Sequence, residues 1–369
     1  MSDDAELSAD LATDGIACTW MRGGTSKGGF FLAQDLPTNK AERDAVLLSI
    51  MGSPDARQID GMGGADPLTS KVAIVSPSAR DNIDVDYLFL QVFVDEARVT
   101  DAQGCGNMLA GVGGFAIEKK LVNAIDDVTS VSIYMINTDS IAVAQINTPA
   151  RQVSYTGDAS IDGVPGTSAA VSLIFKDIAG ANCGSLLPTG DIQNTIDNIA
   201  VTLIDNGMPT VLLKADDFGI SGYETREELD ANDVLKSKLE SIRLQAGPMM
   251  NLGDVSEKSV PKMTLLAPAK NNGVVMTRTF IPHRCHATIG VFCAVSVATA
   301  CILQGSVAFD IATPSKGLKR VLDVEHPLGE TSAILNLKKQ AISNEQAELE
   351  SAGMLRTARK LFEGTVYPA

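Results

Sequence analysis

The two halves of the sequence contain similar segments in the same order. Residues 68–77 (LTSKVAIVSP) and 259–268 (SVPKMTLLAP) each place a lysine at the start of an apolar stretch that ends at a proline. They are separated by about 190 residues, close to half of the chain, and self-similarity at a fixed offset indicates repeated structural units. Residues 21–24 (MRGG) and 205–209 (DNGMP) are a second pair, and each precedes an apolar strand. The repeat predicts two similar domains.

Each half also contains one apolar segment rich in small residues, running from Cys105 to about Lys120 and from His286 to about Gln304. Both are apolar nearly all round, and a helix that is hydrophobic on every face is buried. We predict two further, peripheral helices at Lys40–Met51 and Arg226–Gln245. Runs of β-branched or aromatic residues bounded by turn formers predict strands at 85–94, 128–136, 141–146, 170–175, 201–204, 210–214 and 274–280.

These elements predict an α/β (α+β) fold with two pseudo-symmetric domains, each a curved, mostly antiparallel sheet around one central helix. The domain change is predicted within 177–193, a stretch that contains three glycines and one proline at 180, 184, 188 and 190. The acidic residues 1–12 are predicted to form a disordered tail.

Charge and cysteine usage restrict the class of partner. The chain has 30 Lys and Arg against 45 Asp and Glu, a net charge of −15, which argues against nucleic acid and anionic membrane surfaces. An anionic substrate must therefore be held by locally placed cations. Six cysteines without a C-x-x-C pair, and an N-terminus without a signal pattern, favour reduced thiols in a cytoplasm. The longest apolar run, Ile289–Leu303, is too short to span a bilayer.

The motif MRGGTSKG at 21–28 combines two cations, two hydroxyls and three glycines. Glycine lets the backbone close on an anion, so the motif suits a carboxylate or phosphate. It is not a P-loop, because no Gly-Lys-Ser/Thr ends the required spacing before a helix. A glycine-rich hairpin with a basic tip is the alternative that the residues leave open.

Two side chains are candidates for proton transfer. Cys105 stands at the start of a predicted buried helix, where the partial positive charge of the helix end favours a thiolate. Lys71 stands at the edge of an apolar strand, where partial desolvation would lower its pKa and suit it to act as a base. The alternatives are a small buried structural cysteine and a lysine that extends into solvent. Lys27 is a rival base.

The stretch His283–His286 places two of the three histidines before the second central helix. Zinc is one interpretation, but no second ligand cluster stands elsewhere in the sequence. Anion binding at the helix start is favoured, with Arg284, His286 and Arg278 supplying charge. His326 is predicted to be a surface or turn residue. The residues therefore favour anion binding over a metal site.

With these residues assembled, the chain resembles the PrpF family of aconitate-type isomerases, which have the diaminopimelate epimerase-like fold. The resemblance rests on residues 21–28, 52–78, 105–113, 205–209 and 283–291, which span most of the chain in order. Longer stretches such as DPLTSKVAIVSP, RLQAGPMMNLGDVS and FIPHRCHATIGVF are similar to those of the 4-oxalomesaconate tautomerases of gallate degradation, more than to 2-methylaconitate isomerases.

The resemblance implies a cofactor-free and metal-free isomerase in which Lys71 and Cys105 handle the proton. Diaminopimelate epimerases use one cysteine from each domain, whereas the second helix here opens with His286-Ala287-Thr288, which disfavours a two-thiol racemase. The implied binding residues for a small di- or tricarboxylate are Arg22, Gly23, Thr25, Ser26, Ser70, Gly106, Asn107, Met108, Arg278, Arg284, His286 and Thr288.

In the family the C-terminal segment returns to the first domain, so that Met354–Val366 would be one of its strands. The implied N-terminal domain covers 13–184 plus 346–369, and the C-terminal domain covers 185–345. Three alternatives to a keto–enol tautomerase remain open: a 4-oxalomesaconate allylic Δ-isomerase, a 2-methylaconitate cis–trans isomerase and a non-catalytic tricarboxylate-binding protein. The sequence also leaves the oligomeric state open, with a homodimer as one alternative.

Overall fold

The computed structural model describes residues 15–101, 104–176, 178–339 and 348–369. The predicted disordered tail, residues 1–12, lies outside the described residues. The chain forms two compact units. Unit 1 contains the residues up to Leu173 together with Arg356–Ala369, and unit 2 contains Ile174–Leu355. The chain thus passes from unit 1 to unit 2 after residue 173 and returns after residue 355. The boundaries predicted from the sequence follow residues 184 and 345.

Among the described residues, unit 1 contains two α-helices and the first seven strands. The helices are α1 (Lys40–Met51) and α2 (Gly106–Glu118). The strands are β1 (Ile16–Gly23), β2 (Ser26–Leu32), β3 (Lys71–Pro77), β4 (Val85–Val92), β5 (Val99–Thr100), β6 (Asp127–Met135) and β7 (Ser140–Thr148). Strand β8 (Ala170–Phe175) begins in unit 1 and ends in unit 2.

Unit 2 contains three helices, α3 (Arg226–Asp230), α4 (Asp233–Met249) and α5 (Val291–Ala300). Its strands are β9 (Asn194–Ile196), β10 (Ile199–Asp205), β11 (Pro209–Lys214), β12 (Lys262–Ala267), β13 (Val275–Phe280), β14 (Lys319–His326) and β15 (Gly329–Lys339). The last strand, β16 (Glu348–Val366), begins in unit 2 and ends in unit 1.

The two units repeat one order of strand pairing. In unit 1, β1–β2 is antiparallel, β2–β3 parallel, β3–β4 antiparallel, β4–β6 parallel and β6–β7 antiparallel. In unit 2, the same five relationships join β10, β11, β12, β13, β14 and β15 in that order. Lys71 opens β3 and Lys262 opens β12, so the repeat seen in the sequence is confirmed at the level of topology. The predicted α/β class is confirmed as well.

A buried helix supports the sheet of each unit, as the apolar composition predicts. In α2 every residue from Met108 to Ile117 is buried, and in α5 every residue from Cys293 to Ala300 is buried. Small residues permit this close packing: a Cβ added at Gly111 would lie 2.6 Å from the ring of Phe30. Helix α2 is therefore fixed against the strands that carry the candidate site.

The C-terminal strand completes unit 1. Strand β16 pairs antiparallel with β1, from Ile16 opposite Val366 to Gly23 opposite Ala358. The prediction of a strand at Met354–Val366 that joins the first domain is confirmed. As a result, the N-terminal strand of unit 1 lies between β2 and the last residues of the chain.

Three predicted features are wrong in detail. The single helix at Arg226–Gln245 is two helices. The first ends at Asp230 with Ala231 as its C-cap, and Asn232 caps the second by accepting a hydrogen bond from the Leu235 N–H at 3.0 Å. The second central helix begins at Val291 and not at His286, because the ring of His286 accepts the Thr288 N–H at 3.0 Å and holds a non-helical turn. His326, predicted to be a surface or turn residue, is the last residue of β14 before a turn, and it is only 5% exposed. Within the described residues, no helix combines the length and apolar character needed to cross a membrane.

Candidate active site

The glycine-rich motif is a tight hairpin, the alternative that the sequence analysis left open. Gly23 of β1 lies opposite Ser26 of β2, so only Gly24 and Thr25 form the turn. Gly24 has φ +52°, a left-handed conformation that glycine adopts without strain. Its N–H donates to the carbonyl of Thr357 on β16 at 2.8 Å. This N–H, expected as a donor to substrate, is therefore already used in the fold.

Two glycines of the motif allow neighbouring backbone to approach. A Cβ added at Gly28 would lie 1.9 Å from the carbonyl oxygen of Lys71, and one added at Gly23 would lie 2.4 Å from the carbonyl oxygen of Asn107. The hairpin thus contacts both the first residue of β3 and the first turn of α2. The backbone of the motif thus lies against both elements that carry the candidate proton-transfer residues.

Lys71 and Cys105 come together as predicted. The Nζ of Lys71 lies 3.8 Å from the Sγ of Cys105. Lys71 is 8% exposed, and its Nζ lies 5.1 Å from the centre of the Phe89 ring. Cys105 is the N-cap residue of α2 and is half-buried. An amine and a thiol therefore share one partly desolvated space at the positive end of a buried helix.

The segment before Lys71 is held by two buried glutamines. Gln58 donates to the hydroxyl of Ser70 at 2.7 Å, and Gln91 donates to the carbonyl of Ser70 at 2.9 Å. Ser70 is fully buried, and its polar groups are engaged in these bonds. Its evident role is to fix the backbone at Lys71, and the predicted contact to substrate stays a prediction.

Two residues near Cys105 were missed by the sequence analysis. The hydroxyl of Tyr87 donates to the backbone carbonyl of Cys105 at 3.3 Å. Arg356 on β16 is 9% exposed; burial lowers its pKa to about 10, and the nearby charge of Cys105 acts in the opposite direction. Burial also raises the pKa of Tyr87, with a further contribution from Cys105, so Tyr87 stays a protonated donor.

Neither Tyr87 nor Arg356 stands in a recognisable sequence motif. The alternation of side chains along β4 could have indicated Tyr87. Tyr87, Phe89 and Gln91 occupy alternate positions of β4, and Gln91 lies opposite Lys71. Alternate residues of a strand share a face, so a correct register would have placed Tyr87 on the same face as Lys71. Arg356 is far from the other site residues in sequence and had no such signal.

The start of α2 provides donors for an anion. The first N–H groups of a helix, here those of Gly106, Asn107 and Met108, have no intrahelical acceptor. Cys105 is the N-cap residue, and the Asn107 amide donates to the hydroxyl of Thr25 at 3.0 Å. Among the described residues, Asn107 Oδ1 and Ser26 Oγ are buried without a hydrogen-bond partner. Such polar groups are ones that a bound polar ligand can satisfy.

Arg22 is fixed in orientation by the same hairpin and by β16. Its Nη1 donates to the carbonyls of Gly24 and Thr357 at 2.8 and 3.0 Å and to the Thr357 hydroxyl at 3.0 Å. Its Nη2 lies 3.3 Å from the hydroxyl of Ser168. Arg22 lines a cavity of about 610 Å³ in unit 1, to which Thr25 and Ser26 also contribute.

The remaining predicted binding residues lie in unit 2. Arg278 is 5% exposed and donates from Nε to the Glu224 carbonyl at 2.8 Å. Arg284 is exposed, with Nε 4.0 Å from the Asp230 carboxylate. His286 and Thr288 bond to each other in the turn before α5. Across the described residues, no three or more His, Cys, Asp or Glu side chains are grouped so as to hold a metal ion.

Comparison with known proteins relates this site to a group of isomerases. The model of a family described as PrpF protein matches residues 14–369. The sequence is 59% identical over 358 residues to a (4E)-oxalomesaconate Delta-isomerase of Novosphingobium sp. (strain KA1), covering 97% of this chain and 99% of that protein. It is 58% identical over 351 residues to a 4-oxalomesaconate tautomerase of Pseudomonas putida, covering 95% of each.

A solved structure agrees with these relationships. The crystal structure of a methylitaconate-delta-isomerase superimposes with a TM-score of 0.86 at 32% sequence identity, covering 96% of each chain. Two of these three proteins are named for oxalomesaconate and one for methylitaconate. All three names describe isomerisations.

Proposed function

The chain is an isomerase of the PrpF family, and on this premise we propose that it isomerises 4-oxalomesaconate as a keto–enol tautomerase, by proton transfer at Lys71 and Cys105. The observation that carries the proposal is the 3.8 Å contact between the amine and the thiol at the start of α2. Relatives named for this substrate at 58% and 59% identity support the choice of compound.

In the proposed reaction, neutral Lys71 removes a proton from a carbon acidified by the neighbouring carbonyl and becomes an ammonium. The delocalised dienolate then takes the thiol proton of Cys105 at its oxygen, which leaves a thiolate. Transfer of one proton from the ammonium to the adjacent thiolate restores the starting pair, so no net proton is gained or lost. Proton transfers of this kind contribute about 10²–10⁴-fold each to the rate.

The surroundings favour the charged intermediate state. A cationic Arg356 and the positive end of α2 both stabilise negative charge that develops at the start of this helix. The free N–H groups of Gly106 to Met108 are the candidate donors to the dienolate or to a substrate carboxylate. Such preorganised donors commonly supply the largest part of the rate enhancement.

Allylic Δ-isomerisation is the second candidate, and the 59% identity to a protein of that name favours it. Both reactions begin with the same proton removal and differ in the atom that is protonated next. In a Δ-isomerase Cys105 would return its proton to the distant carbon of the allylic system, and in a tautomerase to the oxygen.

The deciding experiment follows purified enzyme by proton NMR and ultraviolet absorbance with 4-oxalomesaconate, methylitaconate and 2-methylaconitate in D₂O. We expect kcat/KM for 4-oxalomesaconate to exceed that for either methylated compound by about a hundredfold or more. Conversion between keto and enol forms, without migration of the carbon–carbon double bond, supports the tautomerase.

Migration of the double bond with deuterium at the distant carbon would replace the tautomerase by the Δ-isomerase. A higher kcat/KM with 2-methylaconitate or methylitaconate would contradict the proposed substrate. Tight binding of 4-oxalomesaconate without any conversion would mean a tricarboxylate-binding protein.

A further inference from the structure

Three cations of unit 1 lie opposite one another on three adjacent strands. Arg22 of β1 lies directly opposite Lys27 of β2 on one side and directly opposite Arg359 of β16 on the other. Directly opposite residues of antiparallel strands project to the same face of the sheet, so the three side chains, here named the cationic row, are neighbours. Adjacent strands are about 4.8 Å apart, so the row spans about 10 Å. Like charges in such positions destabilise a sheet.

The cationic row projects from the face of the sheet opposite to the one that carries Lys71. Gly28 of β2 lies beside Lys71 of β3, and side chains alternate between the two faces along a strand. Lys27, one position before Gly28, therefore projects away from the face of Lys71. All three cations line the cavity of about 610 Å³ in unit 1, whereas neither Lys71 nor Cys105 lines it. The row is thus separate from the pair that transfers the proton.

Among the described residues, the cationic row has no counter-charge from the protein. None of its three cations forms an ion pair with a carboxylate, although the chain has 45 acidic residues and a net charge of −15. Burial and, less strongly, the charge of Arg359 lower the pKa of Arg22. The repulsion within the row is therefore unrelieved, which is the arrangement expected where an anionic ligand supplies the missing charge.

A loop of unit 1 makes the row part of an enclosed space. The loop 155–168 contributes to the lining of the cavity. Its Ser168 hydroxyl lies 3.3 Å from Nη2 of Arg22, and a Cβ added at Gly163 would lie 3.1 Å from the methyl group of Thr25. No acidic side chain of the described residues lines the cavity, and its volume is within the range of small-molecule sites.

The polar groups of the cavity are suited to an anion with several oxygens. The guanidinium of Arg22 is fixed in orientation, because its Nη1 donates to the carbonyls of Gly24 and Thr357 at 2.8 and 3.0 Å. Hydroxyl side chains can each donate a further hydrogen bond to an oxyanion. Those that line the cavity include Thr25, Thr69, Thr156, Thr167 and Ser168.

From this geometry we propose that the cavity binds a small molecule with two or more anionic groups, at a site separate from the one that isomerises the substrate. The cationic row holds the anionic groups, and the hydroxyls of the lining bind the remaining oxygens. Phosphate compounds and polycarboxylates share this chemistry. The site is independent of the reaction proposed above, because neither Lys71 nor Cys105 contributes to it.

The test is calorimetric titration of the whole chain with pyrophosphate. Arg359 is exposed and Lys27 is half-buried, so both can be replaced without loss of the fold. We expect Arg359→Gln and Lys27→Gln each to weaken pyrophosphate binding by about tenfold. Lys71→Met and Cys105→Ala should leave this binding within about twofold of wild type. Loss of pyrophosphate binding in Lys71→Met or Cys105→Ala would place the anion at the proton-transfer residues and overturn the inference.

Arg98→Gln is the matched control for charge. Arg98 is an exposed arginine of the same unit, pairs with Glu96 and does not line the cavity. The same loss of one positive charge there should leave pyrophosphate affinity within about twofold. An equal loss of affinity in Arg98→Gln would mean that only the overall field matters, and would overturn the inference. Wild-type affinity in both Arg359→Gln and Lys27→Gln would also overturn it.

Two further probes define the ligand. Inorganic phosphate, with one anionic group, should bind more weakly than pyrophosphate, and equal affinities would contradict a ligand that needs two anionic groups. Propane-1,2,3-tricarboxylate, which cannot isomerise, represents the polycarboxylates. The affinity that is lost in Arg359→Gln is compared between the tricarboxylate and pyrophosphate. A larger loss for pyrophosphate supports a phosphate compound at this site, and a larger loss for the tricarboxylate supports a polycarboxylate. Absence of binding of all three probes at millimolar concentrations would overturn the inference.

Discussion

The hydroxyl of Tyr87 and the backbone carbonyl of Cys105 are joined by a hydrogen bond of 3.3 Å. Tyr87 of β4 is 1% exposed and lies within the core of unit 1. Cys105 bears the candidate thiol and is the N-cap residue of α2. The bond therefore ties the position of the thiol to the rigid sheet. It leaves the sulfur itself free to face Lys71.

Replacing Tyr87 by Phe tests this relationship. A hydrogen bond of this kind contributes about 0.5–1.5 kcal/mol, so we expect kcat to fall by roughly two- to tenfold while the fold is retained. The pH dependence of kcat should shift as well, because the sulfur is no longer held in one place relative to Lys71. Unchanged kcat and an unchanged pH profile would show that the bond has no part in positioning Cys105.

Loss of either member of the catalytic pair should be far more damaging. We expect Lys71→Met and Cys105→Ala each to lower kcat by at least about a hundredfold, with circular dichroism like that of the wild type. Lys262→Met is the matched control, because Lys262 opens the equivalent strand of unit 2 and donates to the Ser259 carbonyl at 2.6 Å. Its kcat should stay within about threefold of wild type. Near-normal kcat in Lys71→Met or Cys105→Ala would contradict the assignment.

Gly28→Ala should disturb the site through the backbone. The added Cβ would meet the carbonyl oxygen of Lys71 at 1.9 Å, so β3 must shift where Lys71 begins it. We expect a loss of stability of about 1–3 kcal/mol and a fall in kcat larger than that of Tyr87→Phe. Gly364→Ala, with nothing within 4 Å of the added Cβ, is the control for the same chemical change. Thermal unfolding and steady-state kinetics on both variants make the comparison.

Cys105 should be the first cysteine to react with iodoacetamide. The other five cysteines are buried, and burial raises the pKa of Cys18, Cys183 and Cys301 to about 12 and that of Cys285 to about 11. A raised pKa keeps these thiols protonated, so we expect Cys105 to be alkylated at least about tenfold faster near pH 8. Peptide mass mapping over time measures the order of reaction. Propane-1,2,3-tricarboxylate should slow the labelling of Cys105, and equal labelling of all six cysteines would contradict the structure.

The raised pKa of Cys18 also predicts how stability depends on pH. In the folded state burial raises this pKa from about 9 to about 12, so the folded protein retains a proton that the unfolded chain releases above pH 9. The contribution of Cys18 is thus fully present below pH 9 and is lost progressively as the pH rises toward 12. We expect the free energy of unfolding, from urea titrations, to fall less steeply with pH above 9 in Cys18→Ala than in wild type. Parallel slopes would mean that Cys18 ionises alike in both states.

The fold was largely predictable because the helices and strands have strong local signals. Helix α1 has the predicted bounds, Lys40–Met51, since Asn39 caps it with bonds to the Ala41 and Glu42 N–H groups. The predicted helix bounds were wrong where a side chain accepts a hydrogen bond from a backbone N–H. His286 holds a turn where the apolar pattern alone predicts the start of a helix. Asn232 caps α4 within a segment that the pattern predicts to be one continuous helix.

The candidate site was predictable in part. Lys71 and Cys105 stand next to glycines at the ends of apolar elements, and such positions are readable from sequence. Arg356 is far from Cys105 in the chain and comes near it only because β16 pairs with β1. Sequence patterns report neighbours along one element, and they do not report which strand will pair with which.

Strand β16 makes the completion of unit 1 depend on a segment that follows unit 2 in the chain. Strand β1 has β2 and β16 as its two neighbours, and β16 follows the other strands of unit 2 in the chain. During translation, unit 2 can be completed before unit 1 acquires its final strand, although unit 1 starts first. A nascent chain therefore keeps one edge of β1 uncovered until β16 has emerged from the ribosome.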